Sequence, residues 1–138
     1  MNSMKNPDFL RKLWREGKLA VVEPSDDIEL SYLAKADNCL KSAKILLQSG
    51  LFENSVGEAY YGMYNCLTAL LYKTGIKCEN HSASIILLGT LFGADNLARI
   101  ISLAKRERVD KQYYVETMQR AKVTEASCKD MVIQTEEF

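Results

Sequence analysis

Apolar residues recur at spacings of three and four along nearly the whole chain, which is the period of an amphipathic α-helix. The pattern predicts a short first helix from Pro7 to Glu16, with Asn6 as its cap and Gly17 as its end. A long second helix is predicted from Ser25 or Asp26 to about Ser49, and Asp26 and Glu29 have capping-box spacing there. Its apolar stripe consists of Leu30, Leu33, Ala36, Leu40, Ala43 and Leu47.

A third helix is predicted from about Phe52 to Thr74, with Gly75 as its end. It is apolar over much of its circumference, which is typical of a helix at the centre of a bundle or shared between a core and a subunit interface. The broad face comprises Val56, Ala59, Tyr60, Met63, Leu67, Leu70 and Leu71, and it is widened by Tyr61, Tyr64 and Tyr72.

Three further helices follow the loop GIKCEN in the prediction. One is capped by Asn80 and ends near Gly93, one starts at Asp95, and the last runs from about Lys111 to Glu136. The segment LAVVEP is predicted to be an extended connection that forms no sheet. The pattern therefore predicts an all-α, antiparallel up-and-down helical bundle with four to five main helices and a short N-terminal helix. Residues 1–138 are predicted to form one domain, in which residues 1–24 are a peripheral extension.

Composition narrows the classes of function. Lysine plus arginine and aspartate plus glutamate each total 18, so attraction to nucleic acid requires a local patch. The four cysteines are widely spaced and His81 is the only histidine, so we expect neither a metal site nor a cofactor. The N-terminus has scattered charges and no continuous apolar core, which predicts a cytoplasmic protein with reduced thiols and no membrane contact.

The residues that offer candidate chemistry lie at predicted helix ends. His81 follows the predicted cap Asn80, where it would serve either as a structural helix-start residue or as a functional group near free backbone N–H groups. The basic cluster Lys105, Arg106, Arg108 and Lys111, followed by Tyr113, would bind RNA phosphates or a nucleotide. The alternative is that these cations complement a helix C-terminus. Tyr64 and its neighbouring tyrosines would form either core or a base-stacking platform.

The stretch from Ser55 to Phe92 resembles the HEPN family of small helical bundles. The resemblance lies in the runs AYYGMYN, ALLYKTGI and ENHSA, which are similar to elements of small stand-alone prokaryotic HEPN proteins. It extends more loosely to residues 36–50 and to RERVDKQYYV at residues 106–115, so it covers about two-thirds of the chain.

The resemblance implies a homodimer, often encoded beside a small nucleotidyltransferase as a toxin and antitoxin pair. Many HEPN proteins are metal-independent ribonucleases in which an arginine precedes a histidine by a few residues. At the matching positions this chain has Thr74, Gly75 and Ile76, and no arginine.

Two hypotheses follow from this resemblance. One is an RNA- or nucleotide-binding component of a toxin–antitoxin or defence system, with a degenerate ribonuclease site. In it, His81 is the general acid or base, Arg106 and Arg108 contact phosphate, and the ligand-binding residues are Asn80, Lys77, Tyr64 and Tyr113. The alternative is a non-catalytic helical dimer that binds a small nucleotidyltransferase.

Overall fold

The computed structural model describes the backbone of residues 5–114 and the side chains of residues 7–106. The elements are α1 (Lys5–Arg15), β1 (Leu19–Val21), α2 (Asp26–Gln48), α3 (Phe52–Lys73), β2 (Ile76–Cys78), α4 (His81–Phe92) and α5 (Asp95–Tyr114). The predicted all-α helical bundle is confirmed. No helix in the described part combines the length and the apolar content needed to cross a membrane.

Helices α2 and α3 form an antiparallel hairpin. The Oγ atom of Ser25 caps α2 by accepting a hydrogen bond from the Ile28 N–H at 3.1 Å, so the capping box predicted at Asp26 does not form. Gly50, with φ of +76°, turns the chain from α2 towards α3. The buried Ser55 hydroxyl then donates to the Ala43 carbonyl at 2.6 Å and ties the two helices together.

Helix α3 lies at the centre of the core, as its broad apolar face predicted. Its buried side chains pack with apolar residues of α4 and α5 around the core residues Tyr60, Met63, Leu67, Leu71, Leu88 and Ile101. The predicted α2 stripe is wrong at its N-terminal end, where Leu30 is 62% exposed and Leu33 is 40% exposed. The reason is that α2, among the described elements, packs mainly against α3, and a helix that packs mainly against one neighbour buries only a narrow stripe.

The prediction that LAVVEP forms no sheet is wrong. β1 pairs with β2 in an antiparallel two-stranded sheet, in which Leu19 lies opposite Cys78 and Val21 lies opposite Ile76. The partner strand β2 lies within the segment GIKCEN, which was predicted to be a loop. The long helices α2 and α3 separate the two strands in the sequence. Each strand has only three residues, so a two-residue period cannot be recognised in it. The partner of each strand is also distant in the sequence.

The last two described helices position the candidate site. α4 begins after Asn80 and ends at Gly93, whose φ of +63° is left-handed, so both predicted ends are confirmed. The prediction of a separate helix starting at Lys111 is wrong, because α5 runs without a break from Asp95 to Tyr114. Its charged stretch contains neither glycine nor proline, so nothing in it ends the helix. The predicted continuation to Glu136 lies outside the described residues.

Candidate functional site

The candidate site is built around the first residue of α4, His81. Asn80 caps this helix through its Oδ1 atom, which accepts a hydrogen bond from the Ala83 N–H at 2.9 Å. The hydroxyl of the buried Ser84 donates to the Asn80 carbonyl at 3.0 Å. These contacts fix the start of the helix and therefore the backbone that carries the imidazole.

Three tyrosines of α3 surround the half-buried imidazole of His81. The Tyr60 hydroxyl lies 2.6 Å from Nδ1 of His81, and the Tyr60 side chain is fully buried. The Tyr64 ring stacks on the imidazole, with 3.7 Å between centroids and 22° between planes. Tyr61 meets it at 87° and a centroid distance of 6.4 Å. These contacts hold the imidazole at Nδ1 and stack it on the Tyr64 ring.

The contact between Tyr60 and His81 suits a histidine that gains and loses a proton. A phenol hydroxyl can donate to Nδ1 of a neutral imidazole, and its oxygen can accept from Nδ1–H of an imidazolium. The hydrogen bond is therefore compatible with both protonation states. Burial raises the pKa of the Tyr64 hydroxyl, which lies 3.4 Å from the Ser84 hydroxyl, so the stacked tyrosine stays neutral around neutral pH.

A cation from α5 reaches the same helix start. The Lys105 Nζ donates a hydrogen bond to the Ser82 hydroxyl at 2.6 Å, and Ser82 follows His81 directly in the chain. An ammonium group and the positive end of the α4 dipole therefore lie together at the start of α4. Both favour an anionic group such as a phosphate.

The predicted site residues are only partly brought together. His81, Asn80 and Tyr64 meet, whereas Lys77 is exposed on β2 opposite Ala20 and Arg106 is exposed on α5. Arg108 and Tyr113 belong to the α5 backbone, and their side chains lie outside the described residues.

The predicted site left out Tyr60, Tyr61 and Ser82, and Lys105 was predicted only as one member of the basic cluster. The i, i+4 spacing of Tyr60 and Tyr64, together with the short connection to His81, was the sequence signal that could have found the tyrosines. Within the described part of the chain, no three or more His, Cys, Asp or Glu residues gather in a way that could hold a metal ion.

Comparison with known proteins identifies relatives of this chain. A UPF0332 protein of Gloeobacter violaceus is 36% identical over 55 residues, which are 40% of this chain and 44% of that protein. A UPF0332 protein of Pyrococcus horikoshii is 40% identical over 53 residues, which are 38% of this chain and 37% of that protein. The chain thus aligns with less than half the length of these two relatives.

A longer alignment is found with a protein of Methanocaldococcus jannaschii named Putative toxin MJ0605. It is 26% identical over 108 residues, which are 75% of this chain and 77% of that protein. No solved structure matches the chain significantly. The family model of the HEPN domain matches residues 30–138, which include all of α3, α4 and α5, and the chain therefore belongs to the HEPN domain family.

Proposed function

We propose that this chain is the RNA-directed component of a toxin–antitoxin or defence system, and that His81 transfers protons in metal-independent RNA cleavage. The observation that carries the proposal is the 2.6 Å contact between the buried Tyr60 hydroxyl and Nδ1 of His81. The similarity to a protein named as a candidate toxin supports the biological setting.

The chemistry of RNA cleavage needs a group of this kind. The ribose 2′-hydroxyl must lose a proton as it attacks the phosphate, and the leaving 5′-oxygen must gain one. Histidine does both near neutral pH. Tyr60 contacts Nδ1 and can act as donor or acceptor there, so the contact persists as the imidazole gains and loses a proton. The stacked Tyr64 ring limits rotation of the imidazole and so keeps the ring in a constant orientation.

Charge on the phosphate has to be stabilised as the reaction proceeds. The positions before His81 where an arginine would do this hold Thr74, Gly75 and Ile76. Lys105 supplies a positive charge from α5 through its hydrogen bond to Ser82. A lysine is a compact point charge without the planar fork of arginine, so we expect weaker phosphate stabilisation than an arginine would give.

The test is cleavage of an end-labelled single-stranded RNA by the purified chain in the presence of EDTA. We expect products that end in a 2′,3′-cyclic phosphate, and a loss of about 100-fold or more in rate for His81→Ala. Lys105→Gln should weaken both RNA binding and cleavage. Arg106→Gln, which removes the same charge from an exposed position on the same helix, should have a smaller effect. Wild-type cleavage by folded His81→Ala protein would refute the proposed role.

A second candidate function is a non-catalytic helical homodimer that binds a small nucleotidyltransferase. The observation that favours it is the exposure of Leu30 and Leu33, which places apolar side chains on the surface of α2. Light scattering coupled to size exclusion would test the dimer. Leu30→Arg should dissociate it, whereas Leu91→Arg, at an equally exposed leucine of α4, should leave it intact. A monomeric wild-type chain would contradict this candidate.

A further inference from the structure

A groove with a volume of about 370 Å³ runs between α2 and α3, away from the His81 contacts. It is lined by Ser42, Ile45, Leu46, Asn54 and Glu58. The walls therefore combine a carboxylate, a carboxamide and a hydroxyl with two aliphatic side chains. A volume of this size lies within the range of sites that bind small ligands or single side chains.

Two polar residues of the groove, Asn54 and Glu58, belong to a row of polar residues along α3. Asn54, Glu58, Tyr61 and Asn65 are spaced by four, three and four residues, so they share one face of the helix. From α2, the Cys39 thiol receives a hydrogen bond from the Asn65 amide at 3.6 Å. Burial and the charge of the nearby Glu58 carboxylate raise the pKa of this thiol. The Glu58 carboxylate thus points towards α2 and borders the groove.

Glu58 has no cationic partner among the side chains that the structure describes. Its neighbour across the helix interface, Cys39, is neutral and only a weak hydrogen-bond donor. A partly buried carboxylate gains stability when a cation neutralises it and fills its remaining acceptor sites. The groove consequently favours a positively charged group.

The shape of the groove and the arrangement of its acceptor oxygens indicate which cation fits best. Glu58, Asn54 and Ser42 offer several acceptor oxygens around one space, which suits the planar guanidinium with its five N–H donors. Ile45 and Leu46 offer aliphatic surface for the methylene stem of the same side chain. Ile45 is 62% exposed, so its apolar surface extends beyond the groove to where residues flanking an arginine would lie.

We propose that the groove between α2 and α3 binds an arginine side chain presented by a partner protein. This inference is independent of the chemistry proposed for His81. The guanidinium pairs with Glu58 and contacts Asn54 and Ser42, its stem packs on Leu46, and an apolar neighbour of the arginine covers Ile45.

The experiment is an NMR titration of the full ¹⁵N-labelled chain with a capped Leu-Arg-Leu tripeptide. We expect the backbone amides of Ser42, Asn54 and Glu58 to shift, and the same tripeptide with neutral citrulline to bind at least about tenfold more weakly. Glu58→Gln should reduce affinity for the arginine peptide by a similar factor. Glu23→Gln, which removes an exposed carboxylate outside the groove, should not.

Three results would overturn the inference. The groove does not recognise positive charge if the arginine and citrulline peptides bind equally. The same conclusion follows if a Glu58→Gln variant whose spectrum shows a native fold binds the arginine peptide as tightly as the wild type does. A third arm uses agmatine, which carries the guanidinium on a free aliphatic amine. If agmatine binds as tightly as the tripeptide, the ligand is a free amine and the assignment to a partner protein is wrong.

Discussion

The Tyr60 hydroxyl lies 2.6 Å from Nδ1 of His81 and joins the middle of α3 to the first residue of α4. We expect Tyr60→Phe to lower the free energy of unfolding by about 1 kcal/mol, because phenylalanine keeps the buried ring and loses the hydrogen bond. Urea unfolding followed by circular dichroism measures this change.

Tyr72→Phe is the matched control for that variant. The Tyr72 ring stacks on Tyr32 at 5.6 Å, and its hydroxyl makes no hydrogen bond to a residue in the described part of the chain. Removal of this hydroxyl should cost less than about 0.5 kcal/mol. Equal losses for the two variants would mean that the contact between Tyr60 and His81 contributes nothing measurable to stability.

The Asn80 side chain is the second determinant of the position of His81. We expect Asn80→Ala to cost about 1 kcal/mol of stability, because the Ala83 N–H at the start of α4 loses its acceptor. Asn80→Asp keeps an acceptor oxygen and adds a charge that the helix N-terminus favours, so its stability should remain close to wild type. Thermal or urea unfolding separates these outcomes, and equal destabilisation by both substitutions would argue against the cap.

The helix ends were predictable because each depends on one or two residues that act locally. Asn80 can cap and Gly93 can adopt a left-handed conformation whatever the rest of the chain does. The pairing of Leu19 with Cys78 was not predictable, because it depends on how α2 and α3 fold back on each other. The exposure of Leu30 was not predictable either, because it depends on tertiary packing. The hydrophobic period shows which face of a helix is apolar but not how many helices pack against it.

Some residues of the candidate site were likewise predictable from the sequence, and others depend on tertiary packing. His81 was found because it is the only histidine and follows a capping residue, and Tyr64 because it widens the apolar face of α3. Tyr60 was assigned correctly to the core, yet its hydrogen bond to His81 required the tertiary arrangement of α3 and α4. Lys105 was identified as one of a basic cluster. Only the packing of α5 on α4 distinguishes it from its exposed neighbour Arg106.

The half-buried thiol of Cys66 predicts that stability falls at alkaline pH. Burial, with a smaller contribution from Cys39, raises the pKa of this thiol above its usual value of 9.0. The unfolded chain therefore releases the proton at lower pH than the folded chain does. The stabilisation is complete below the usual thiol pKa, and it is lost as pH rises from that value through the raised pKa of the folded state.

Urea unfolding under reducing conditions, at about pH 7 and about pH 10, tests this sign. The free energy of unfolding of the wild-type chain should be lower at the higher pH. The free energy of unfolding of Cys66→Ala should decrease less between these two pH values, because one titrating group is removed. Some decrease remains in both proteins because the pKa of Tyr64 is also raised. A difference between variant and wild type that does not change with pH would exclude Cys66 as a contributor.

Gly75 connects the end of α3 to the start of β2. We expect alanine at this position to lower the free energy of unfolding more than alanine at Gly50. Both glycines have left-handed backbones, with φ of +86° and +76°. A Cβ at Gly75 would lie 2.7 Å from the Val22 carbonyl oxygen, whereas a Cβ at Gly50 meets nothing within 4 Å.

Gly50→Ala should therefore cost about 1 kcal/mol, which is the penalty for a left-handed alanine. Gly75→Ala should cost about 3 kcal/mol, because backbone must also move at the hydrogen bond that the Val22 N–H donates to the Gly75 carbonyl at 2.8 Å. Urea unfolding gives the two free energies, and amide exchange at Val22 should accelerate in Gly75→Ala alone. Equal costs would show that the backbone of β1 moves away from the new methyl group without loss, so that the sheet is not a rigid constraint on the segment leading to His81.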